Sequence, residues 1–293
     1  MIQDENIQQA EQYIKDADAI LITAGAGMGV DSGLPDFRGT KGFWKAYPPI
    51  EKLGLSFSDM ANPLWFEEKP SLAWAFYGHR LNLYRDTVPH DGFKMLLDLV
   101  KEKNDNYFIY TSNVDGQFQK AGFDNDKIYE VHGSIHHLQC SKSCLLNLSN
   151  NISPSRPLNK FQIWEADSEY IDVDMDKFEA KNIPLCENCG EVARPNILMF
   201  GDWNWNSQRA SKQEAKYNTW RKRNKTKKIA IIEIGAGTSI PTIRIEGQQL
   251  SSIYKNTKLI RINPREYEMK KNIGFSIPFG GLEGLKKVLQ WQK

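Results

Sequence analysis

Short polar motifs follow apolar runs at several points of this 293-residue sequence, and their residue types can bind phosphates, sugars and amides. The first motif is Gly25-Ala26-Gly27, which follows the apolar run 19–23. Glycines at such a turn let backbone N–H groups approach a phosphate, because no Cβ blocks the way. The Gly-x-Gly-x-x-Gly dinucleotide fingerprint is incomplete, since its third glycine position holds Val30. An ordinary tight turn between a strand and a helix is the alternative.

The stretch after this turn, 32–39, contains Asp36, Phe37 and Arg38 between glycine and proline residues. Glycine and proline predict a loop. An arginine in such a loop can neutralise a pyrophosphate with paired hydrogen bonds, and a phenylalanine can cover a bound ring and exclude water. We interpret this stretch as a lid over a phosphate-binding turn.

Two further polar motifs end apolar runs. Asn113 and Asp115 follow the run 107–112, and His132-Gly133 ends the run that begins at 127. A fixed carboxylate can accept hydrogen bonds from an amide, and a histidine is suited to take a hydroxyl proton near neutral pH. Each motif has a plainer alternative. The first can be an Asx-turn at a strand end, and the second can be a structural histidine.

All four cysteines occur in two short pairs, Cys140/Cys144 and Cys186/Cys189. In a reducing compartment, paired cysteines at this spacing indicate a metal site before they indicate disulfides. Four thiolates in two hooks suit tetrahedral zinc, which we predict as a structural metal. A redox role is the alternative. The long polar, acidic stretch between the pairs predicts a solvated surface, with partner binding as its alternative.

These motifs need a scaffold that brings the ends of several strands together. Apolar runs alternate with helical patterns, so we predict an α/β fold with a Rossmann-like, doubly wound parallel sheet. Its strand ends would then lie at one edge, where ligands bind. We expect an aromatic and proline-rich loop at 42–49. The predicted strands are 19–23, 107–112, 127–132, 196–200, 228–234 and 258–262, and the predicted helices include 6–18, 71–84 and 89–101.

The cysteine-rich segment interrupts the alternation of strands and helices. We therefore predict a discontinuous Rossmann-like domain at 1–135 and 195–293, with a helical insertion at 41–90, and an inserted small zinc-binding module at 136–194. The composition, 40% hydrophobic and 25% charged, is typical of a globular protein. A net charge of +2 argues against nucleic-acid and membrane partners. No signal peptide or membrane-spanning run is recognised, so we expect a cytoplasmic protein.

Over nearly its whole length the chain resembles the sirtuins, the NAD-dependent protein deacylases, and in particular bacterial-type members. The resemblance begins at 25–39. It continues in family order through the motifs at 113–115 and 132–133, the cysteine pairs, Phe200-Gly201 and a second glycine turn at 235–239. Gly29 stands where the family usually has serine, and Ser112 replaces glutamine. The stretch 240–244, which ends in Arg244, departs from the usual apolar-then-proline order.

The resemblance implies NAD as co-substrate and zinc held by the four cysteines. It assigns the general base that activates a ribose hydroxyl to His132, and the orientation of the nicotinamide ribose to Asn113. It also implies that Phe200 and Gly201 line an acyl-lysine tunnel. The cofactor-binding residues that it implies are Gly25, Ala26, Gly27, Asp36, Phe37, Arg38, Ser112, Asn113, Asp115, Gly237, Thr238, Ser239, Asn263 and Gly281.

Tyr77 and Arg80 lie three residues apart in a predicted helix and therefore share a face. A phenol and a guanidinium on one face can bind a terminal carboxylate. The pair resembles the Tyr-x-x-Arg of sirtuins that remove succinyl, malonyl or glutaryl groups. A solvent-facing pair on an amphipathic helix is the alternative.

Three classes of function follow from these observations. The first is NAD-dependent deacetylation or desuccinylation of a protein that carries an acylated lysine, giving nicotinamide, O-acyl-ADP-ribose and free lysine. The second is protein ADP-ribosylation or NAD hydrolysis at the same site, which the departures at Gly29, Ser112 and Arg244 keep open. The third is a non-catalytic NAD-sensing module that binds a partner. The sequence specifies neither the protein substrate nor the oligomeric state.

Overall fold

The computed structural model describes residues 2–35, 39–142 and 163–290. The helices are α1 (Ile2–Lys15), α2 (Gly39–Ala46), α3 (Pro48–Lys52), α4 (Phe57–Met60), α5 (Trp65–Glu68), α6 (Pro70–Asp86), α7 (Asp91–Glu102), α8 (Gln117–Lys120), α9 (Gln208–Asn224), α10 (Thr242–Ile253) and α11 (Gly281–Leu289). The strands are β1 (Ala19–Ala24), β2 (Tyr107–Thr111), β3 (Ile128–Glu130), β4 (Gly133–Cys140), β5 (Trp164–Glu165), β6 (Val173–Asp174), β7 (Glu179–Ala180), β8 (Ala193–Ile197), β9 (Ile229–Ile234), β10 (Thr257–Ile262) and β11 (Gly274–Ile277).

Six strands form a parallel sheet in the order β11-β10-β9-β1-β2-β3. The central strand β1 is buried along its whole length, as is typical of a parallel strand covered by helices on both faces. From β1 the chain builds outward through β2 and β3, and it later returns to the other side of β1 through β9, β10 and β11. The predicted Rossmann-like, doubly wound sheet is confirmed.

The prediction of a parallel strand at 196–200 is wrong. The strand here is β8, which ends at Ile197 and pairs antiparallel with β4 in a separate sheet of order β5-β4-β8. The sixth parallel strand is β11, which the sequence did not reveal. Apolar runs indicate strands but do not identify their partners, and β11 is a short strand that begins with Gly274.

The prediction of a loop at 42–49 is also wrong, because this stretch lies in α2 and α3. Pro48 and Pro49 occupy the first turn of α3, where the missing N–H groups would have no helical partner. Phe43 and Tyr47 are fully buried and pack edge-on against Phe76 of α6. The aromatic residues therefore anchor two short helices to a longer one.

Helix α6 lies in an apolar core that it shares with the small antiparallel sheet. Trp74, Phe76 and Tyr77 of α6 belong to the same buried cluster as Ile135 of β4 and Ala193 of β8. This packing explains why α6 is apolar on most of its surface. Among the described residues, no helix combines the length and the apolar character that crossing a membrane requires. The domain limits at 135 and 195 stay a prediction.

Candidate functional site

The two predicted glycine turns touch each other at the carboxyl ends of β1 and β9. The Gly27 N–H donates to the Gly235 carbonyl at 3.1 Å. A Cβ on Gly25 would lie 2.8 Å from the Gly235 oxygen, and a Cβ on Gly235, whose φ is +63°, would lie 2.3 Å from the Gly27 carbonyl carbon. β1 and β9 flank the topological switch point, where the chain stops adding strands on one side of β1 and begins to add them on the other. In α/β sheets ligands bind at this point.

Asn113 is attached directly to the first glycine turn. Its side-chain NH₂ donates to the Gly25 carbonyl at 3.0 Å, and its backbone N–H donates to Thr111 Oγ1 at 3.0 Å. The neighbouring Ser112 N–H donates to the Ala24 carbonyl at 3.2 Å. The predicted polar residues after β1 and β2 therefore form one surface, as expected for adjacent parallel strands.

His132 lies beside the same surface. A hydrogen bond to the Ser112 backbone raises its pKa, but burial has the larger effect, so the pKa is lower than usual and the neutral imidazole is favoured. A neutral imidazole can accept a proton. The next residue must be glycine, since Gly133 has a φ of +80° and a Cβ there would lie 2.0 Å from the Asn196 carbonyl oxygen.

The second glycine turn is connected to the end of β10. Asn263 is buried, and its NH₂ donates to the Ala236 carbonyl at 2.9 Å. Its amide oxygen accepts from the backbone N–H groups of Arg265 and Glu266 at 3.0 and 2.9 Å. The Glu266 carboxylate accepts a hydrogen bond from Thr238. Sequence reasoning missed Glu266, which meets Thr238 only through the fold and belongs to no recognised motif.

Gly237, Thr238 and Ser239 are at least partly accessible, in contrast to the buried Gly235 before them. Gly281, at the start of α11, packs against the first turn: a Cβ there would lie 3.7 Å from the Gly27 carbonyl oxygen. The Asp31 carboxylate accepts from the Leu282 N–H at 2.8 Å and holds α11 in place. The structure thus brings Asn113, Asn263 and Gly281 into contact with the paired glycine turns.

A buried ion pair shapes the segment that follows β8. Arg194 and Asp202 have fully buried side chains and form an ion pair, and Asp202 also accepts from the Met199 N–H at 3.3 Å. The Leu198 N–H donates to the His132 carbonyl at 2.9 Å, so this segment runs beside the histidine. Phe200 is 45% exposed and Gly201 has a φ of +66°. Phe200 is therefore accessible on the segment that runs beside the histidine.

Tyr77 and Arg80 are 1% and 6% exposed, so the alternative of a solvent-facing pair is wrong. The Arg80 guanidinium carbon lies 5.9 Å from the ring centre of Phe57, which in turn packs edge-on against Phe200 at 6.4 Å. Burial raises the pKa of Tyr77 to about 12, although the nearby Arg80 opposes this effect. The phenol is therefore neutral and lies beside a cation.

The charge of Arg80 also acts on Asp115, which follows β2. Burial raises the pKa of Asp115 to about 6. That pKa value already includes a smaller upward effect of Glu130 and the downward effects of the hydrogen bond from the Gln117 N–H and of the Arg80 charge. Asp115 is consequently a carboxylate that becomes protonated closer to neutrality than an exposed aspartate does.

Three of the four cysteines form a cluster. The Sγ atoms of Cys140, Cys186 and Cys189 all lie within 4.8 Å of one another, and those of Cys140 and Cys189 are 3.5 Å apart. Sulfurs bound to one tetrahedral zinc ion lie about 3.8 Å apart, given Zn–S bonds of about 2.3 Å. This donor set therefore fits zinc. The predicted fourth ligand, Cys144, and the lid residues Asp36, Phe37 and Arg38 lie outside the described residues.

The fold and these side chains together define a Rossmann-like α/β protein with a thiol centre in a small antiparallel module. The chain belongs to the Sir2 family. A family model with that description matches residues 25–239, nearly three quarters of the sequence.

Two relatives illustrate the range of names among similar proteins. An NAD-dependent protein deacylase of Aquifex aeolicus is 27% identical over 274 residues, which cover 93% of this chain and 94% of that protein. A probable bifunctional ADP-ribose hydrolase/ADP-ribosyltransferase of Fusarium oxysporum f. sp. cubense is 28% identical over 245 residues, which cover 81% of this chain but 38% of that protein. Three other deacylase relatives are covered over 60% to 70% of their length.

The fold agrees with that of a solved Sir2 homologue–NAD complex. The two structures superpose with a TM-score of 0.66 at 20% sequence identity, over 97% of this chain and 92% of the other. At this identity the comparison establishes the shared fold.

Proposed function

We propose that this Sir2-family chain is an NAD-dependent protein-lysine deacylase. The observation that carries the proposal is the contact between the two glycine turns, with Asn113 bonded to one of them and His132 beside it. Relatives named as deacylases support it. The products would be nicotinamide, O-acyl-ADP-ribose and free lysine. A cytoplasmic location stays a prediction.

Each group has a role that its position can support. Backbone N–H groups of the glycine turns would bind the phosphates of NAD, and the Asp115 carboxylate would accept hydrogen bonds from the nicotinamide carboxamide. NAD would supply nicotinamide as the leaving group: the acyl oxygen of the substrate would bond to ribose C1′ as the C1′–nicotinamide bond breaks, and a water molecule would be consumed in the later release of lysine. His132 would then take the proton of a ribose hydroxyl, and the acyl-lysine would enter beside Phe200 and Gly201. The cysteine cluster would hold zinc as a structural metal.

The test is to incubate the protein with NAD and matched peptides that carry acetyl-lysine or succinyl-lysine, and to follow all products by mass spectrometry. NAD-dependent formation of free lysine and O-acyl-ADP-ribose would support the proposal. Release of ADP-ribose, or ADP-ribosylated protein, without any loss of acyl groups would contradict it.

Arg80→Met is expected to reduce kcat/KM for the succinyl peptide. The buried guanidinium would bind the succinyl carboxylate through charge-assisted hydrogen bonds, and two such bonds correspond to a loss of about 100-fold. The loss on the acetyl peptide should be smaller, because acetyl carries no carboxylate. Arg85→Met is the matched control, since Arg85 lies on the same helix but donates to the Glu169 carbonyl. Equal losses on both peptides would refute a role in acyl recognition.

The affinity for NAD is expected to fall as the pH decreases through about 6, the pKa of Asp115. Protonation removes the acceptor that we assign to the carboxamide, so binding at pH 5 should be about tenfold weaker than at pH 7. Isothermal titration calorimetry across this range measures the effect. Asp115→Asn should bind NAD weakly, and its affinity should not change between pH 5 and pH 7. If the affinity of Asp115→Asn for NAD still falls at acid pH as it does in the wild type, another group is responsible for the pH dependence.

ADP-ribosyl transfer is the second candidate. The name of the Fusarium relative favours it, as does Ser112, which replaces glutamine immediately before Asn113. A serine side chain is shorter, so the ribose can be held differently. The product analysis above distinguishes this activity directly.

A further inference from the structure

Tyr84 lies on α6 one turn after Arg80 and is buried, with 5% of its surface exposed. Its hydroxyl oxygen accepts two hydrogen bonds from the guanidinium, from Nε at 3.1 Å and from Nη2 at 3.0 Å. A residue four positions after another on a helix lies directly above it, so this contact is built into the sequence of α6.

Several aromatic faces also lie close to the guanidinium. The Arg80 Cζ atom lies 5.1 to 5.9 Å from the ring centres of Phe57, Phe76, Tyr77 and Tyr84. A ring face attracts a cation but does not fix its rotation, whereas a hydrogen bond is directional. The paired bonds to the Tyr84 hydroxyl therefore constrain the plane of the guanidinium in a way that the ring faces do not.

Tyr84 is also connected to the strand-end motif. Gln117 donates its side-chain NH₂ to the Tyr84 carbonyl at 3.2 Å and its backbone N–H to the Asp115 carboxylate at 2.9 Å. Burial raises the pKa of Tyr84, and the charge on Asp115 raises it further, whereas Arg80 lowers it. The hydroxyl therefore stays neutral at working pH and remains an acceptor for Arg80.

We propose that Tyr84 is a positioning residue for acidic acyl groups: its hydroxyl orients the Arg80 guanidinium so that the site prefers acyl-lysines that end in a carboxylate. The proposal rests on the proposed deacylase function and on the role of Arg80 within it. Arginine recognises carboxylates through a planar, two-bond geometry, so its orientation affects affinity as well as its charge does.

The test is Tyr84→Phe, which keeps the ring over Arg80 and removes only the hydroxyl. We expect KM for the succinyl-lysine peptide to rise about tenfold, the effect of losing one charge-assisted hydrogen bond, with kcat little changed. The ratio of succinyl to acetyl turnover should fall by the same factor. In Arg80→Met, adding Tyr84→Phe should lower the ratio no further, because the hydroxyl acts through Arg80.

Tyr107→Phe is the matched control. Tyr107 is also buried, and its hydroxyl accepts a hydrogen bond from the Asp124 N–H at 3.1 Å, away from α6. This variant should leave the ratio of succinyl to acetyl turnover unchanged. If Tyr84→Phe behaves like Tyr107→Phe, the proposal is overturned and Tyr84 is structural.

The same experiments distinguish failure of the proposed deacylase function from failure of the proposed role of Tyr84. A wild-type protein that removes acetyl but not succinyl would keep the deacylase and overturn the role of Tyr84. If the wild type removes neither group, calorimetric binding of the succinyl-lysine peptide decides. Weaker binding by Tyr84→Phe than by the wild type would uphold the positioning role, and equal binding would overturn it.

Discussion

His132→Ala is expected to lower acyl-lysine removal by about 10²- to 10⁴-fold, the usual contribution of a positioned general base. The expected loss is selective. His132 is assigned to the proton transfer that follows release of nicotinamide, so the variant should still bind NAD and still exchange free, labelled nicotinamide into it. Measuring free lysine and labelled NAD in the same reaction separates acyl removal from the earlier release of nicotinamide.

His137→Ala is the control for a merely structural effect. His137 is also half-buried and lies on β4, which begins directly after His132, and burial lowers its pKa to about 3, so it stays neutral. It should retain acyl removal. If His132→Ala retains full acyl removal too, the assignment of the base is wrong. If the wild type binds NAD but turns over none of it, the chain is an NAD-sensing module.

The second large effect is expected at the cysteine cluster. Cys186→Ser should weaken zinc binding by more than about 100-fold, because even residues that only support a ligand change metal affinity by about 10- to 100-fold. Cys186 is 1% exposed and closes a tight turn in which the Gly190 N–H donates to its carbonyl at 2.8 Å. Metal content per chain, measured by plasma mass spectrometry, gives the result without any assay of activity.

Ser141→Ala is the matched variant for this measurement. Ser141 follows Cys140, is 5% exposed and is held by a backbone hydrogen bond to Val192 at 3.0 Å, but it contributes no thiol. It should retain one zinc ion per chain. Equal zinc content in Cys186→Ser and the wild type would refute the cluster as a metal site. A lower melting temperature is expected wherever the metal is lost, because metal binding and folding are coupled.

Local pattern was sufficient to predict, to within one residue, where β1, β2, β9 and β10 end. Buried parallel strands are continuous apolar runs, and the polar residues after them lie at one edge of the sheet by topology alone. For this reason Gly25, Asn113 and Asn263 could be placed near a common ligand site from the sequence. The helical positions of Tyr77 and Arg80 followed from spacing in the same way.

Contacts between distant segments could not be predicted. Nothing local distinguishes β8 from a strand of the parallel sheet, since its antiparallel partner β4 lies more than fifty residues earlier. The hydrogen bond between Thr238 and Glu266 joins two loops, and the burial of Asp202 follows from its ion pair with Arg194. These features depend on packing that forms only in the folded chain.

The contact of Gly25 and Gly27 with Gly235 has a consequence for how the protein is made. β1 is complete early in synthesis, but its partner β9 begins more than two hundred residues later. After β2 emerges, a ribosome adding roughly 5–20 residues per second needs about 5–25 s to reach β9. Throughout that time one edge of the central strand has no β9 to pair with, and such an edge can pair with other chains. The contact between the two glycine turns is thus among the last parts of the fold to assemble. If these turns bind NAD as proposed, NAD binding would report that the parallel sheet of the nascent chain has closed around β1.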